Sequence, residues 1–370
     1  MTPEEVELLS KLTILIPTYN RPLELERAIE YWRDLPVTVH ILDGSDKPCF
    51  PVGTLIGDSA AIFYHHLPNE SEYGFHDNYC ERINLGLSLV NSEFSALIAD
   101  DDFFTLSGLT RALKTLSDHN RIDAVIGGVA FFKKNTYPLQ WEKQSMNWIP
   151  PKIRESGELI ERLKTQDPRK VFIWYGILRT DKLKAIWSTG SKFTFSSRIL
   201  NEYSIHQLGL AFCRVRVIDS VLQLRDKATT INPYIEERHL TVDRDEEYKV
   251  VCRLYKETFS KIDPLLDEHT LNELALSRAD WLFDLLAYKE SPPIEKTPLK
   301  AHQKLILTLR KYLRNTVLSL PPSVLGLLYL IKPEIRSQIE NHTPLIFDER
   351  EFFEKLLLKP REELRLRANI

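Results

Sequence analysis

Short apolar runs alternate with helical patterns along about the first third of the chain. Runs of strand length lie at residues 13–16, 37–42, 61–67, 95–99 and 123–132. Between these runs, apolar residues recur every three or four positions, which is typical of helices that bury one face. Strands that alternate with helices in this way predict an α/β fold with a mostly parallel, Rossmann-like central sheet covered on both faces.

The rest of the chain is less regular and then becomes helical. Residues 171–178 and 213–224 have the apolar pattern of strands, whereas residues 198–210 have the pattern of a helix. The last third is rich in Lys, Glu and Leu and reads as helical throughout. We therefore expect two domains, with residues 1–235 around the sheet and residues 236–370 as a helical C-terminal domain.

Composition and charge are those of an ordinary globular protein. Of 370 residues, 43% are hydrophobic and 27% are charged, and the formal net charge is -3, which gives no reason to expect a nucleic-acid partner. The four cysteines lack ligand spacing, so we expect reduced thiols without a zinc site or disulfides. The first residues lack a signal-peptide pattern, and prolines interrupt the charge-free run at residues 315–331. These features predict a cytoplasmic protein without a membrane span.

Polar clusters follow three of the predicted strands. They occupy residues 18–21, 43–46 and 100–102. In open α/β sheets, ligands bind beyond the carboxyl ends of the strands. We therefore expect these clusters to meet at one edge of the sheet.

The acidic triplet Asp100, Asp101 and Asp102 is the most informative of these clusters. Three adjacent carboxylates repel one another unless positive charge lies among them. A magnesium or manganese ion supplies such charge, because both prefer oxygen ligands and bridge carboxylates to phosphates. The alternative is an acidic turn that caps the helix starting near Thr105.

The other two clusters fit a nucleotide. Asp43 at the end of the second strand could accept a hydrogen bond from a base N–H, or it could simply belong to an Asp-Gly turn. The loop at residues 17–22 could wrap a nucleoside while helix N-terminal amides attract a diphosphate, or it could be a helix-initiating turn. The sequence has no GxGxxG fingerprint and no Walker lysine motif, which argues against NAD and P-loop chemistry.

Several of these motifs resemble those of family 2 glycosyltransferases of the GT-A fold. The resemblance is carried by Leu12 to Arg21, by the Arg-Ile-Asn-Leu-Gly segment at residues 82–86, by residues 91–94, and by Ala-Asp-Asp-Asp at residues 99–102. Their order and spacing agree with the family over about residues 12–135. The resemblance implies a nucleotide-sugar donor, usually UDP-linked, a bound Mg²⁺ or Mn²⁺ ion, and inversion at the anomeric carbon.

The resemblance also implies roles for individual residues. Asp43 would hold the base, and Arg82 would lie near the nucleotide or its phosphates. Asp100 would lie beside the ribose, and Asp102 would bind the metal. The donor pocket would further include Pro17, Thr18, Tyr19, Arg21 and Asp101.

An inverting transfer also needs a carboxylate that accepts the proton of the acceptor hydroxyl. Glu202 is our candidate, although Asn201-Glu202 stands where the family often has a Glu-Asp pair, and a solvated helix glutamate is the alternative. Arg225 and His239 follow the last predicted strand of the sheet domain. In such enzymes a basic loop or a histidine in this area closes over the diphosphate or completes the metal shell, and we assign His239 to the metal.

These inferences predict an inverting, metal-dependent hexosyltransferase that acts on a glycan, lipid-linked or protein-linked acceptor. Residues 304–331 mix basic and apolar positions and then lose charge, which suits peripheral contact with the inner face of a membrane or packing on the catalytic domain or a second subunit. The alternatives are a non-catalytic nucleotide-sugar or glycan-binding module and a sugar nucleotidyltransferase. The absence of glycine from residues 18–21 disfavours the nucleotidyltransferase.

Overall fold

The computed structural model describes most of the N-terminal three quarters of the chain. The described residues are 1–50, 61–69, 75–132, 142–144, 155–164, 173–192, 195, 198–226 and 243–290. The proposed metal ligand His239, the segment 304–331 and the boundary near residue 235 lie outside them. These three therefore stay predictions from the sequence.

A nine-stranded sheet forms the centre of the described fold. Its strands are β1 (Leu12–Thr18), β2 (Thr38–Asp43), β3 (Ala61–His66), β4 (Phe94–Leu97), β5 (Phe103–Phe104), β6 (Ala124–Phe132), β7 (Glu142–Gln144), β8 (Ile177–Arg179) and β9 (Val215–Asp226). Their order is β3-β2-β1-β4-β8-β6-β9-β5, with β7 paired to β6.

Most of the sheet is parallel. β3, β2, β1 and β4 are neighbours that run in one direction, which is the strand order of a Rossmann half. β8 inserts antiparallel between β4 and β6, so that β6 and its parallel neighbour β9 share the direction of β4. The short strands β5 and β7 are antiparallel to their partners. The predicted α/β fold with a mostly parallel, Rossmann-like sheet is therefore confirmed.

Helices connect and cover these strands. They are α1 (Pro3–Ser10), α2 (Pro22–Trp32), α3 (Phe75–Leu89), α4 (Leu106–Asp118), α5 (Leu159–Lys164), α6 (Thr180–Gly190), α7 (Arg198–Phe212), α8 (Arg244–Ile262) and α9 (Glu268–Glu290). Local sequence explains several of their starts. Thr2 and Glu5 form a capping box at α1, Pro22 is the first residue of α2, and Asp243 caps α8.

Two hydrophobic clusters cover the two faces of the sheet. Successive residues of β1 alternate between them, since Ile14 and Ile16 belong to one cluster and Leu15 to the other. Helices α1, α2 and α4 contribute to the first cluster. The second cluster includes buried residues of α3 and of α5 to α9, so the described C-terminal helices pack with α7 in the same core. Among the described helices, none combines the length and the apolar character that crossing a bilayer requires.

The structure differs from the sequence prediction around residues 171–178. This segment was expected to be one strand, but it contains a short 3₁₀ turn at Ile173–Tyr175 followed by β8. Gly176 joins the two, and a Cβ atom there would lie only 2.8 Å from the carbonyl oxygen of Val125. The close approach of two backbones therefore interrupts the strand.

Candidate functional site

The structure brings the three polar clusters together at the carboxyl ends of β1, β2 and β4. Thr18 and Asp43 are register partners at the ends of β1 and β2, and the Gly44 amide donates to the Thr18 carbonyl oxygen at 3.0 Å. The Thr18 hydroxyl donates to Oδ2 of Asp100 at 2.6 Å. Groups that lie 82 positions apart in sequence thus share one site.

Arg21 binds the first two carboxylates of the acidic triplet. Its Nη1 donates to Oδ1 of Asp100 at 2.7 Å, and its Nη2 donates to Oδ2 of Asp101 at 2.5 Å. The side chain of Asp100 is only 3% exposed, whereas that of Arg21 is 32% exposed. Asn20 precedes this arginine with φ of 55°, and its amide donates to the Ser45 hydroxyl at 2.7 Å. The left-handed backbone at Asn20 therefore forms part of the turn that presents Arg21.

Burial dominates the ionisation of Asp100. It raises the pKa of this carboxyl to about 7, and the charge of Arg21 and the hydrogen bond from Thr18 limit the rise. For Arg21 the balance differs. Burial lowers the pKa of its guanidinium, but Asp100 and Asp101 outweigh burial and hold this pKa above its ordinary value.

Asp102 points towards a different group of residues. Its Oδ2 accepts from Nε2 of Gln223 at 3.3 Å and from Nε of Arg225 at 3.2 Å. The guanidinium of Arg225 lies 4.6 Å from the ring centroid of Tyr175, a cation–π distance. Burial lowers the pKa of Arg225, but Tyr175 and the surrounding carboxylates raise it by more.

The acidic triplet does not cap α4. The N-cap of that helix is Thr105, whose hydroxyl accepts from the Gly108 amide at 3.0 Å and donates to the Val221 carbonyl oxygen at 2.6 Å. The sequence offered the helix cap as the alternative function of the triplet. The structure assigns that function to the threonine and leaves the carboxylates at the site.

A divalent ion at this site would need ligands beyond the described side chains, such as the oxygens of a bound diphosphate. Arg21 and Arg225 already supply the positive charge that three adjacent carboxylates require. Both oxygens of Asp100 accept hydrogen bonds, and no group of three or more His, Cys, Asp or Glu suited to hold a metal occurs among the described residues. Magnesium is often bound by one or two carboxylates plus substrate phosphates. Asp102 could serve as such a carboxylate.

Asp43 is fully buried and anchors the turn after β2. Its Oδ1 accepts from the amide and hydroxyl of Ser45, and its Oδ2 accepts from the Cys49 amide and the Tyr64 hydroxyl. Burial opposes ionisation, but these hydrogen bonds lower the pKa of Asp43 below its ordinary value. Each oxygen thus has two donors from within the protein. The base-binding role of Asp43 stays a prediction, and the structure adds a role in shaping the turn.

Arg82 projects from α3 towards the same turn. It is buried, and its Nη1 donates to Oδ1 of Asn69. Its guanidinium packs directly on Gly44, where an added Cβ would lie 2.8 Å from Nε of Arg82. A glycine at this position therefore allows the arginine to reach the end of β2.

Glu202 on α7 belongs to the same neighbourhood. It is partly buried, and its charge acts on both Arg225 and Tyr79. The residue before it has a structural function, since Oδ1 of Asn201 accepts from the Phe195 amide at 3.1 Å and its Nδ2 donates to the Phe195 carbonyl oxygen at 2.8 Å. This explains physically why an asparagine stands beside the candidate base.

The sequence argument did not identify several residues of the site. Pro17 and Tyr19 lie partly buried beside Thr18, as expected for the loop after β1. The partners of the carboxylates, however, come from distant segments. The residues not anticipated are Tyr64, Tyr79 and Gln223. Arg225 was expected after the last strand, but it lies within β9.

Comparisons with known proteins give distant structural similarities. No protein-family model and no curated protein sequence matches the chain. S. aureus TarS 1–349 in complex with UDP-GlcNAc aligns at 15% identity and a TM-score of 0.47, covering 96% of this chain and 91% of that one. The complex of TarS 1–349 with UDP aligns at 14% identity and 0.43, with the same coverage. Similarities at this level carry no argument about activity, so the function is inferred from the site itself.

Proposed function

We propose that the chain is an inverting, metal-dependent glycosyltransferase of the hexosyltransferase type that uses a UDP-linked sugar donor. The observation that carries this proposal is the meeting of Thr18, Arg21 and the acidic triplet at the ends of parallel strands. Nucleotides bind at this edge in α/β proteins. The resemblance to family 2 glycosyltransferases falls on these same residues.

The donor would occupy the strand ends. The nucleoside would lie against Pro17, Thr18, Tyr19 and Arg21, with Asp43 at its base, Asp100 at its ribose and Asp101 alongside. Arg82 would approach the nucleotide from α3. Its position against Gly44 supports this placement, because it brings a buried positive charge to the end of β2.

The proposed transfer moves one proton to the protein and releases UDP as the leaving group. The acceptor hydroxyl oxygen forms a bond to the anomeric carbon as the bond from that carbon to the diphosphate oxygen breaks. Glu202 accepts the hydroxyl proton, and the electron pair of the broken bond leaves with UDP. A Mg²⁺ or Mn²⁺ ion held by Asp102, with His239 as a further ligand, would supply positive charge that stabilises the leaving diphosphate.

The acceptor is proposed by class only. It is a hydroxyl group of a glycan, free or linked to a lipid or a protein. A lipid-linked acceptor would agree with peripheral contact of residues 304–331 with the inner face of a membrane. We keep this contact and the cytoplasmic location as expectations from the sequence.

A donor-turnover experiment tests the proposal. The protein is incubated with a panel of UDP-sugars and Mn²⁺, UDP release is measured, and UDP binding is followed by calorimetry. We expect slow hydrolysis of at least one donor by the wild type. Glu202→Gln should lower turnover by about 10²–10⁴-fold while keeping UDP affinity, because it removes only the proton acceptor. Asp102→Ala should lose metal-dependent UDP binding.

Asp219→Ala is the matched control, since it removes an exposed carboxylate of β9 outside the site. UDP binding without turnover of any donor would favour a non-catalytic nucleotide-sugar-binding module. If Asp102→Ala bound UDP and Mn²⁺ as tightly as the wild type, the proposed metal site would be wrong.

A further inference from the structure

We infer that Arg225 is the resident counter-cation of Asp102 and that a divalent ion displaces it from this carboxylate only when a nucleotide diphosphate is present. The inference rests on the proposed function and deepens it. It assigns to Arg225 control over the order in which ion and nucleotide bind. Arg225 is a positioning residue in this scheme, because it acts through the carboxylate of Asp102.

The first support is the geometry of the carboxylate. The side chain of Asp102 is 5% exposed, and one of its oxygens accepts from both Gln223 and Arg225. These donors are two positions apart on β9, so both point to the same side of the strand. A buried carboxylate without such partners would be costly, and in the nucleotide-free protein these two side chains reduce that cost.

The second support is the position of the guanidinium. Arg225 lies on the ring of Tyr175 at 4.6 Å, and its Nη2 is 3.5 Å from the tyrosine hydroxyl oxygen. Its side chain keeps 30% of its surface exposed. The contact with Tyr175 can keep the guanidinium of Arg225 near the site after it separates from Asp102, because cation–π attraction does not depend on that carboxylate.

Competition between the two cations follows from these contacts. Arg225 and a divalent ion would compete for the carboxylate of Asp102, and two positive charges beside one carboxylate repel each other. Within the described residues no group of three or more acidic, His or Cys side chains could hold the ion without help. A bound diphosphate brings negative charge that compensates both cations. The ion and the nucleotide should therefore bind with strong positive coupling.

Paramagnetic resonance of free Mn²⁺ measures this coupling directly. The full chain is titrated with Mn²⁺ alone and with Mn²⁺ in the presence of UDP. In the wild type we expect weak binding of Mn²⁺ alone and much tighter binding with UDP. Arg225→Met should raise the affinity for Mn²⁺ alone by about tenfold, because the ion no longer displaces a charged hydrogen-bond donor. The enhancement by UDP should fall by a similar factor.

Arg216→Met is the matched control. Arg216 also lies on β9 and pairs with a carboxylate, Glu155, at 2.6 Å, but this pair has no contact with the acidic triplet among the described residues. The Arg216→Met variant should bind Mn²⁺ as the wild type does, both alone and with UDP. Arg225→Gln provides a second variant if Arg225→Met fails to fold by circular dichroism.

The outcomes separate this inference from the proposed function. Unchanged affinity for Mn²⁺ alone in a folded Arg225 variant overturns the inference and leaves the glycosyltransferase proposal intact. A wild type that binds no Mn²⁺ even with UDP overturns the metal-dependent function, and the inference with it.

Discussion

Two arginines neutralise the acidic triplet in different ways. Arg21 bridges Asp100 and Asp101 with two short contacts of 2.7 and 2.5 Å. The Nε atom of Arg225 lies 3.2 Å from Oδ2 of Asp102, and its guanidinium carbon lies 4.6 Å from the ring centroid of Tyr175. The first pair is built as a fixed part of the fold, whereas the second has the geometry of an exchangeable contact. An acidic motif at a strand end can therefore combine carboxylates that hold the protein together with one that remains for a ligand.

Replacing each arginine in turn should give the largest difference in stability between the Arg21 and Arg225 contacts. Arg21→Met removes two short contacts to carboxylates, those with Asp100 and Asp101, so we expect the free energy of unfolding to fall by about 3 kcal/mol. Arg225→Met removes one longer contact and leaves the Gln223 donor to Asp102 in place, so it should cost about 1 kcal/mol. Urea denaturation at pH 7 measures both. Equal losses for the two variants would contradict the distinction between them.

The pH dependence of stability should sharpen the comparison. The pKa of Asp100 is raised to about 7 in the folded protein from its ordinary value of 3.8. Between these values the folded state binds more protons than the unfolded state, so this group makes stability fall as pH rises from about 4 to 7. The slope is at most about 1.4 kcal/mol per pH unit.

Asp100→Asn should remove this contribution. Its free energy of unfolding, measured by urea denaturation from pH 4 to 7, should therefore decline less steeply than that of the wild type. Asp219→Asn serves as the control and should follow the wild type. Parallel stability curves for Asp100→Asn and the wild type would show that burial does not raise the pKa of the Asp100 carboxyl.

The smallest expected effect concerns the hydrogen bond from Thr18. Thr18→Val keeps the shape of the side chain and removes the 2.6 Å donor to Asp100. We expect a loss of about 1 kcal/mol in the free energy of unfolding and a further rise in the pKa of Asp100. Thr115→Val, on the exposed side of α4, is the control. Arg21 still pairs with Asp100 in Thr18→Val. A loss as large as that of Arg21→Met would therefore contradict the conclusion that Arg21 is the main partner of Asp100.

The parallel half of the fold was predictable because its signals are local. β1 to β4 are compact apolar runs, and Pro22 marks the start of α2. The helix α1 also has a local signal, since Thr2 and Glu5 have the spacing of a capping box. By contrast, β5 contains two residues and β8 three, and both form through pairing with distant strands. Such strands leave almost no pattern in the sequence.

The site was predictable to the extent that strand ends define it. The convergence of the three polar clusters followed from strand order alone. The partners of each carboxylate did not, because Tyr64 and Arg225 reach Asp43 and Asp102 from strands that are distant in sequence. The sequence suggested a metal ion as the positive charge among the triplet and did not point to a further source. Arginines that are remote in sequence provide charge at the same place.

The packing of Arg82 on Gly44 has an evolutionary consequence. A Cβ at position 44 would overlap the guanidinium of Arg82 where it now lies, so the arginine would have to move if this glycine were replaced. A lineage that replaces this glycine should therefore turn the arginine away from the end of β2 or carry a shorter residue on the helix. Paired substitution at these two sites thus offers a genetic signature for tracing the architecture through divergent sequences.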